Sequence, residues 1–221
     1  RVCRIRGGTA ESPLPASARR LVTLSRALCA YRERDPARAR ALVLLLIQGS
    51  TGDEPAYLGA QFAAEKLLRG EDPELARALA STFFAHRDFG RVGPLIDLLA
   101  ARPGGLVGRE AFELGYVQAR SDFWLRRYEP AQARFGRLVE IAPTPTQRAD
   151  ALYQQGRCFE ALKRVTEASA AYRRTYQAEP LGEWAGVGLL AALRVEWLGG
   201  QEAAALSLYD LLRTGRGNQL Y

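Results

Sequence analysis

The sequence predicts an all-α protein made of stacked antiparallel helical hairpins, an α-solenoid. Three observations predict this: a 37-residue internal repeat in the C-terminal half, apolar residues spaced three or four apart upstream, and no alternating strand pattern. With 48% hydrophobic and 25% charged residues, the composition is that of an ordinary globular chain. One strand-like run, 43–47, is too short to span a membrane and lies in a helical frame.

Upstream of the repeat, helices are predicted from apolar spacing and from their start signals. Two segments begin at a proline that follows an aspartate, Asp35-Pro36 and Asp72-Pro73. The aspartate can cap the helix, and proline suits its first turn. A Pro-Gly-Gly stretch from Pro103 ends the last of these helices. We therefore predict five helices in this part of the chain, over 15–33, 36–48, 55–69, 73–85 and 92–101.

The chain is expected to have three parts: a basic irregular segment at 1–14, degenerate helical hairpins over 15–106, and repeats over 107–221 that continue the same solenoid. The positive charge is concentrated at the start. Residues 1–40 carry ten arginines against three acids, an excess of seven that equals the net charge of the whole chain. Such a segment can attract nucleic acid or an anionic membrane. However, arginine is frequent everywhere and 1–20 lacks interleaved aromatic residues, so this function ranks last.

The repeat itself aligns 112–148, 149–185 and 186–221 without a gap in several columns. A fixed period of this length is typical of stacked repeats, in which each unit buries its apolar face against its neighbours. The agreeing columns hold arginine (Arg120, Arg157, Arg194), alanine (Ala131, Ala168, Ala205) and an aromatic residue (Phe135, Tyr172, Tyr209).

The middle copy, 149–182, has a regular set of apolar, small and aromatic residues, namely Leu152, Gly156, Phe159, Ala168, Tyr172 and Pro180. This set resembles the tetratricopeptide (TPR) repeat, whose pattern has a large apolar residue, a leucine, a glycine, a tyrosine, an Ala-x3-Phe pair and a final proline. Phe159 stands in the tyrosine place, and only the leucine is missed, by Gln155. The copies at 112–148 and 186–221 are weaker matches, since acids stand in the tyrosine place.

The resemblance implies that the first helices of the hairpins line a concave groove, with Tyr153 and Arg157 on its inner face. The 37-residue shift adds Tyr116 with Arg120, and Leu190 with Arg194; Glu160 and Trp197 complete the candidate partner-binding set. Arginine offers a bidentate fork to carboxylates and tyrosine offers flat contact area, so such a ladder suits an acidic or C-terminal peptide. Alternatively, these arginines pair with acids of the stack itself, Arg157 with Glu160 for example, and the tyrosines only pack.

No catalytic or metal-binding pattern is found. His86 is the single histidine, and a helix end is its expected place. The sequence has no P-loop, nucleophile elbow, zinc-protease motif or C-x-x-C. Cys3, Cys29 and Cys158 are too scattered for a metal site, and Cys158 is expected to be buried. We therefore predict a protein that is not an enzyme and takes no cofactor and no metal.

These observations favour a scaffold that binds a protein or peptide, possibly acidic, and that is a subunit of a larger assembly; no small-molecule substrate is expected. An alternative is the superhelical domain of a larger enzyme, because the hairpins also resemble those of soluble lytic transglycosylases. The chain has no methionine and no evident capping helix at its end, which suggests a processed protein or a fragment. A soluble protein of the cytoplasm or periplasm is expected.

Overall fold

A computed structural model describes residues 15–49, 52–68 and 72–213. Over these residues the protein is all-α, with eleven helices and no strand, and within each of two units consecutive helices pack against each other as in a helical repeat solenoid. The segment 1–14 and the C-terminal residues 214–221 lie outside the described part. The sequence therefore predicted the fold class correctly.

The helices fall into two compact units, Arg1–Gly105 and Leu106–Tyr221. The first unit holds α1 (Ala16–Arg32), α2 (Pro36–Gly49), α3 (Glu54–Lys66), α4 (Pro73–Ala85) and α5 (Phe89–Ala100). The second holds α6 (Gly108–Trp124), α7 (Tyr128–Ile141), α8 (Pro145–Ala161), α9 (Val165–Ala178), α10 (Glu183–Leu198) and α11 (Glu202–Arg213).

The predicted starts of α2 and α4 are confirmed by their capping contacts. The Asp35 carboxylate accepts a hydrogen bond from the Arg38 backbone N–H at 2.9 Å, and that of Asp72 accepts one from Leu75 at 3.1 Å. Each satisfies one of the amides that a helix start leaves without a partner. The prediction for α3 was wrong at its end: the helix stops at Lys66 and not at residue 69.

One turn geometry recurs in five hairpins, α1–α2, α4–α5, α6–α7, α8–α9 and α10–α11. Each turn has three residues, and the N–H of the third donates to the carbonyl five residues earlier, over 2.8–2.9 Å. This bond closes the end of the first helix. The middle residue is left-handed in every case, and in four of the five turns it is a cation. These middle residues are Arg34, Arg87, Arg126, Lys163 and Gly200.

Small residues let the helices of the second unit pack closely. The alanines of the repeat column, Ala131, Ala168 and Ala205, are at most 2% exposed, so their equivalent buried places are confirmed. On α8, a Cβ added to Gly156 would lie 2.5 Å from the ring of Tyr172, which is fully buried. Glycine is therefore required at this close approach.

Cys158 lies within the core of the same hairpins, as predicted. Its side chain is fully buried among apolar residues that include Leu152 and Ala131. Burial disfavours the thiolate and raises the pKa of Cys158 to about 12. It is consequently an apolar packing residue. None of the described helices is both long enough and apolar enough to cross a membrane.

Two ion pairs tie helices together in the first unit. The Arg40 guanidinium on α2 pairs with Asp72 and contacts Glu74 on α4 at 2.9 Å, while Arg20 on α1 pairs with Asp53 at the start of α3. Hydrogen bonding to Arg40 lowers the pKa of Asp72 below its ordinary value. Two arginines of the basic stretch 1–40 are thus occupied by structural contacts.

The first prediction concerns the close packing around Ala168. Ala168→Leu should lower the free energy of unfolding by about 1–3 kcal/mol, because a larger side chain overpacks a fully buried site. Ala170→Leu makes the same change on the exposed side of α9 and serves as the control. Urea denaturation measures both. Equal stabilities of the two variants would contradict the packing described here.

The second prediction concerns acid stability. The pKa of Asp72 is lower in the folded protein than its unfolded value of 3.8. The contribution of the Asp72 carboxylate to the stability of the fold is therefore complete above pH 3.8, and it is lost as the pH falls through the folded pKa. Asp72→Asn keeps a capping side chain but removes the charge, so it should cost on the order of 1 kcal/mol at pH 7 and less at pH 3, which lies below the unfolded pKa. Thermal melts at both pH values test this. Glu140→Gln, at an exposed position of α7, is the control.

Candidate functional site

The candidate residues lie on the first helices of the three hairpins in the second unit, α6, α8 and α10. Side chains of adjacent first helices contact each other. The Arg157 guanidinium on α8 lies 4.5 Å from the centroid of the Phe123 ring on α6, and Arg194 on α10 binds Glu160 on α8. The three predicted arginines belong to one surface strip, which we call the α6–α8–α10 face.

Arg120 is the arginine of α6, and it binds the tyrosine one turn before it. Its Nη1 donates to the hydroxyl of Tyr116 over 3.3 Å, and the guanidinium lies 5.9 Å from that ring centroid. Burial, with a smaller contribution from Asp150 on α8, raises the pKa of Tyr116 to about 12. The Nε of Arg120 is buried and has no hydrogen-bond partner among the described residues. This arginine is therefore only partly satisfied.

Arg157 on α8 is not paired with an acid of the described chain. Its Nη1 donates to the amide oxygen of Gln154 over 3.0 Å, and its cation lies over the Phe123 ring. A cation over an aromatic face is attracted to the ring but keeps its full charge. The pairing with Glu160 considered from the sequence does not form. Arg157 consequently presents a positive charge that nothing described neutralises.

Arg194 on α10, unlike Arg157, is paired with an acid. Its two Nη atoms donate to the two carboxylate oxygens of Glu160 over 2.7 and 2.8 Å, and Tyr172 donates its hydroxyl to the same carboxylate over 2.9 Å. Hydrogen bonding to Glu160 raises the pKa of Arg194 above its ordinary value. For this arginine the structural pairing anticipated as the alternative is correct, although the acid comes from the preceding hairpin.

The contacts of Arg157 and Arg194 are equivalent in the repeat. Each arginine reaches the residue 34 positions before it, Phe123 in one case and Glu160 in the other, and these two residues share one column of the 37-residue alignment with Trp197. The geometry is therefore repeated while the chemistry changes from a cation–π contact to an ion pair. Trp197, the last member of the column, is 55% exposed.

The aromatic residues of the face pack between hairpins. Tyr153 lies between Tyr172, at 5.4 Å between ring centroids, and Trp184, at 5.3 Å. Both Tyr153 and Tyr116 are half-buried. Leu190, in the third copy, is 43% exposed. The tyrosines thus serve packing, while part of each remains at the surface.

Several residues of this face were missed from the sequence. Gln154 donates to Asp150 over 3.1 Å, and so links the environment of Tyr116 to that of Arg157. The other copies of the repeat have different residues at the positions of Gln154 and Asp150, so the 37-residue alignment did not identify these two as candidates. Phe123 could have been found, because it occupies the same column as Glu160 and Trp197.

Two carboxylates are buried where the middle copy has Phe159. Asp122 on α6 is 8% exposed and accepts a hydrogen bond from Arg134 Nε over 2.9 Å. Glu196 on α10 is 2% exposed, accepts from Ser169, and receives two bonds of 2.8 Å from Arg173. A buried carboxylate needs such partners to remain charged. Each acid that replaces the aromatic residue of the family pattern is therefore paired with an arginine, Asp122 with Arg134 and Glu196 with Arg173.

His86 is the C-cap residue of α4, the helix end predicted for it. Its ring stacks on Tyr57 with 4.6 Å between centroids, and the Tyr57 hydroxyl donates to Asp88 over 3.1 Å. The described residues contain no group of three or more His, Cys, Asp or Glu that could hold a metal ion.

No protein-family model matches this chain. A TPR repeat-containing protein of Treponema pallidum (strain Nichols) is similar to it, with 35% identity over 75 residues. The aligned stretch covers 34% of this chain and 31% of that protein. The similarity is consistent with TPR-like repeats in part of the chain.

The third prediction tests the buried carboxylate of α10. Arg173→Ala leaves Glu196 with the Ser169 hydroxyl as its hydrogen-bond donor among the described side chains, and we expect a loss of about 1.5–3 kcal/mol of stability, the range for hydrogen bonds to charged groups. Arg174→Ala, at the exposed neighbouring position of α9, is the control. Chemical denaturation measures both, and an unchanged Arg173→Ala variant would contradict the importance of this pair.

Proposed function

We propose that this protein is a non-catalytic scaffold of the TPR type, and that the α6–α8–α10 face binds an acidic segment of a protein or peptide partner. The observation that carries the proposal is the state of Arg157: a half-buried cation, held in place by Gln154 and Phe123, with no acid of the described chain paired to it. A charge fixed in this way is available for a carboxylate of another molecule.

The neighbouring side chains support the same use. Arg120 has a buried Nε without a described partner, and Tyr116 and Tyr153 supply partly exposed aromatic surface along the strip. Arginine and tyrosine are frequent where binding energy is concentrated. Arg194 is excluded from this role because Glu160 already occupies both of its Nη atoms. The predicted ladder of three arginines is thus reduced to two, Arg120 and Arg157.

The similarity to a TPR repeat-containing protein supports a repeat scaffold. Peptide and protein binding is the usual task of such surfaces, since a solenoid offers an extended face.

The fourth prediction separates binding from stability on two matched variants. A panel of acidic peptides, each with a free C-terminal carboxylate, is screened by fluorescence anisotropy beside copies in which the acids are replaced by amides. Arg157→Ala should weaken the best acidic binder by about 1–3 kcal/mol and leave the melting temperature nearly unchanged. Arg157→Lys should recover part of the affinity, since lysine keeps the charge but not the bidentate fork.

Arg194→Ala is the matched control, because it removes an arginine of the same column that is already paired. We expect it to lower the melting temperature slightly and to leave peptide affinity intact. The reverse pattern, in which Arg157→Ala destabilises the fold and binding is unaffected, would show that these arginines are structural. Equal affinity for acidic and amide peptides would also refute the proposal.

A further inference from the structure

A groove of about 460 Å³ lies in the first unit, between α1 and α3. Its apolar wall includes Leu28, Cys29 and Tyr31 of α1 and Phe62 of α3, and the rings of Tyr31 and Phe62 meet edge to face at 5.4 Å. A second hollow of about 510 Å³ shares Tyr31 with it. Each volume lies in the range of sites that hold small organic ligands.

Cations line the same two hollows. Arg32 and Lys66 border both, Arg34 borders the second, and no acidic side chain of 15–49, 52–68 or 72–213 lines either. Among the described residues Arg32 and Arg34 make no ion pair, and Lys66 has only a distant contact of 3.9 Å with Glu65. The groove therefore joins an apolar wall to positive charge that the described chain leaves unneutralised.

The two helices reach this arrangement by the same spacing. On α1 Arg32 follows Leu28 by four residues, and on α3 Lys66 follows Phe62 by four, so each helix places a cation one turn beyond an apolar side chain. A cation in the last turn is favoured by the helix dipole, which accounts for the charge alone. It does not account for the apolar hollow beside it, where Leu28 remains 38% exposed.

We propose that the α1–α3 groove binds an amphipathic carboxylate, whose hydrocarbon body lies along Leu28 and Phe62 and whose carboxylate is held by Arg32 and Lys66. The apolar wall gains by removing hydrocarbon from water, and the guanidinium of Arg32 matches a carboxylate in shape as well as charge. This site lies in the first unit and uses none of the residues of the α6–α8–α10 face. It would add a small-molecule ligand to a chain for which the sequence suggested none.

Cys29 provides a reporter inside the groove. It is half-buried, whereas Cys158 is fully buried with a raised pKa and serves as an unreactive reference in the same sample. The full chain is treated with iodoacetamide, and alkylation of each cysteine is followed by peptide mass spectrometry with increasing monomeric dodecanoate. We expect dodecanoate to slow alkylation of Cys29 at least fivefold and saturably. Dodecyltrimethylammonium, with the same hydrocarbon and the opposite charge, should not protect it.

Two variants locate the site. Arg32→Ala should raise the dodecanoate concentration for half-protection at least tenfold, and Leu28→Glu should abolish protection by placing a negative charge in the apolar wall. Arg137→Ala, at an exposed position of α7, should change nothing. Circular dichroism verifies that each variant is folded.

Other outcomes would overturn the proposal. Equal protection by the ammonium compound would show hydrophobic adsorption without recognition of the anion, and protection unchanged by both variants would place binding elsewhere. Displacement of dodecanoate by an acidic helical peptide at lower concentration would make this a peptide site. Protection by anionic phospholipid vesicles, without protection by monomeric dodecanoate, would make it a membrane contact.

Discussion

The close approach of neighbouring helices in the second unit is the constraint on which the rest of that unit depends. Gly156 has no room for a Cβ against Tyr172, and the same is true of Gly188, whose Cβ would lie 2.8 Å from the Tyr172 carbonyl oxygen. Tyr172 is thus held between α8 and α10 by two glycines. This packing brings α10 near enough to α8 for Arg194 to reach Glu160 on the preceding hairpin.

Repetition of the backbone does not impose repetition of the chemistry. The column of Phe123, Glu160 and Trp197 meets an arginine twice, once through an aromatic face and once through a carboxylate. The contact with the Phe123 ring leaves the charge of Arg157 unpaired, whereas the carboxylate of Glu160 neutralises the charge of Arg194. The residue type at this column therefore decides whether the arginine of the next hairpin keeps an unpaired charge or forms an ion pair.

The fold could be predicted because its signals are local. Helices follow from apolar spacing and caps, and α4 was predicted at Pro73–Ala85, the bounds it has. The 37-residue period identified the column of arginines and the column of alanines, and the equivalent positions of the alanines predicted that all three are buried. The period did not show which residue of the Phe123 column each arginine meets. Arg157 and Arg194 each contact a residue 34 positions earlier and not 37, an offset set by how the hairpins stack. That the α6–α8–α10 face binds a partner remains a prediction.

The turns between paired helices carry a consequence for engineering. A left-handed backbone costs a residue with a side chain roughly 1–2 kcal/mol relative to glycine, yet Arg34, Arg87, Arg126 and Lys163 all adopt it, and only Gly200 avoids the cost. Every one of these turns has the same length and the same closing hydrogen bond. A turn sequence taken from one hairpin should therefore fit the geometry of another. Glycine in place of Arg87, Arg126 or Lys163 would remove the cost of the left-handed backbone at that turn.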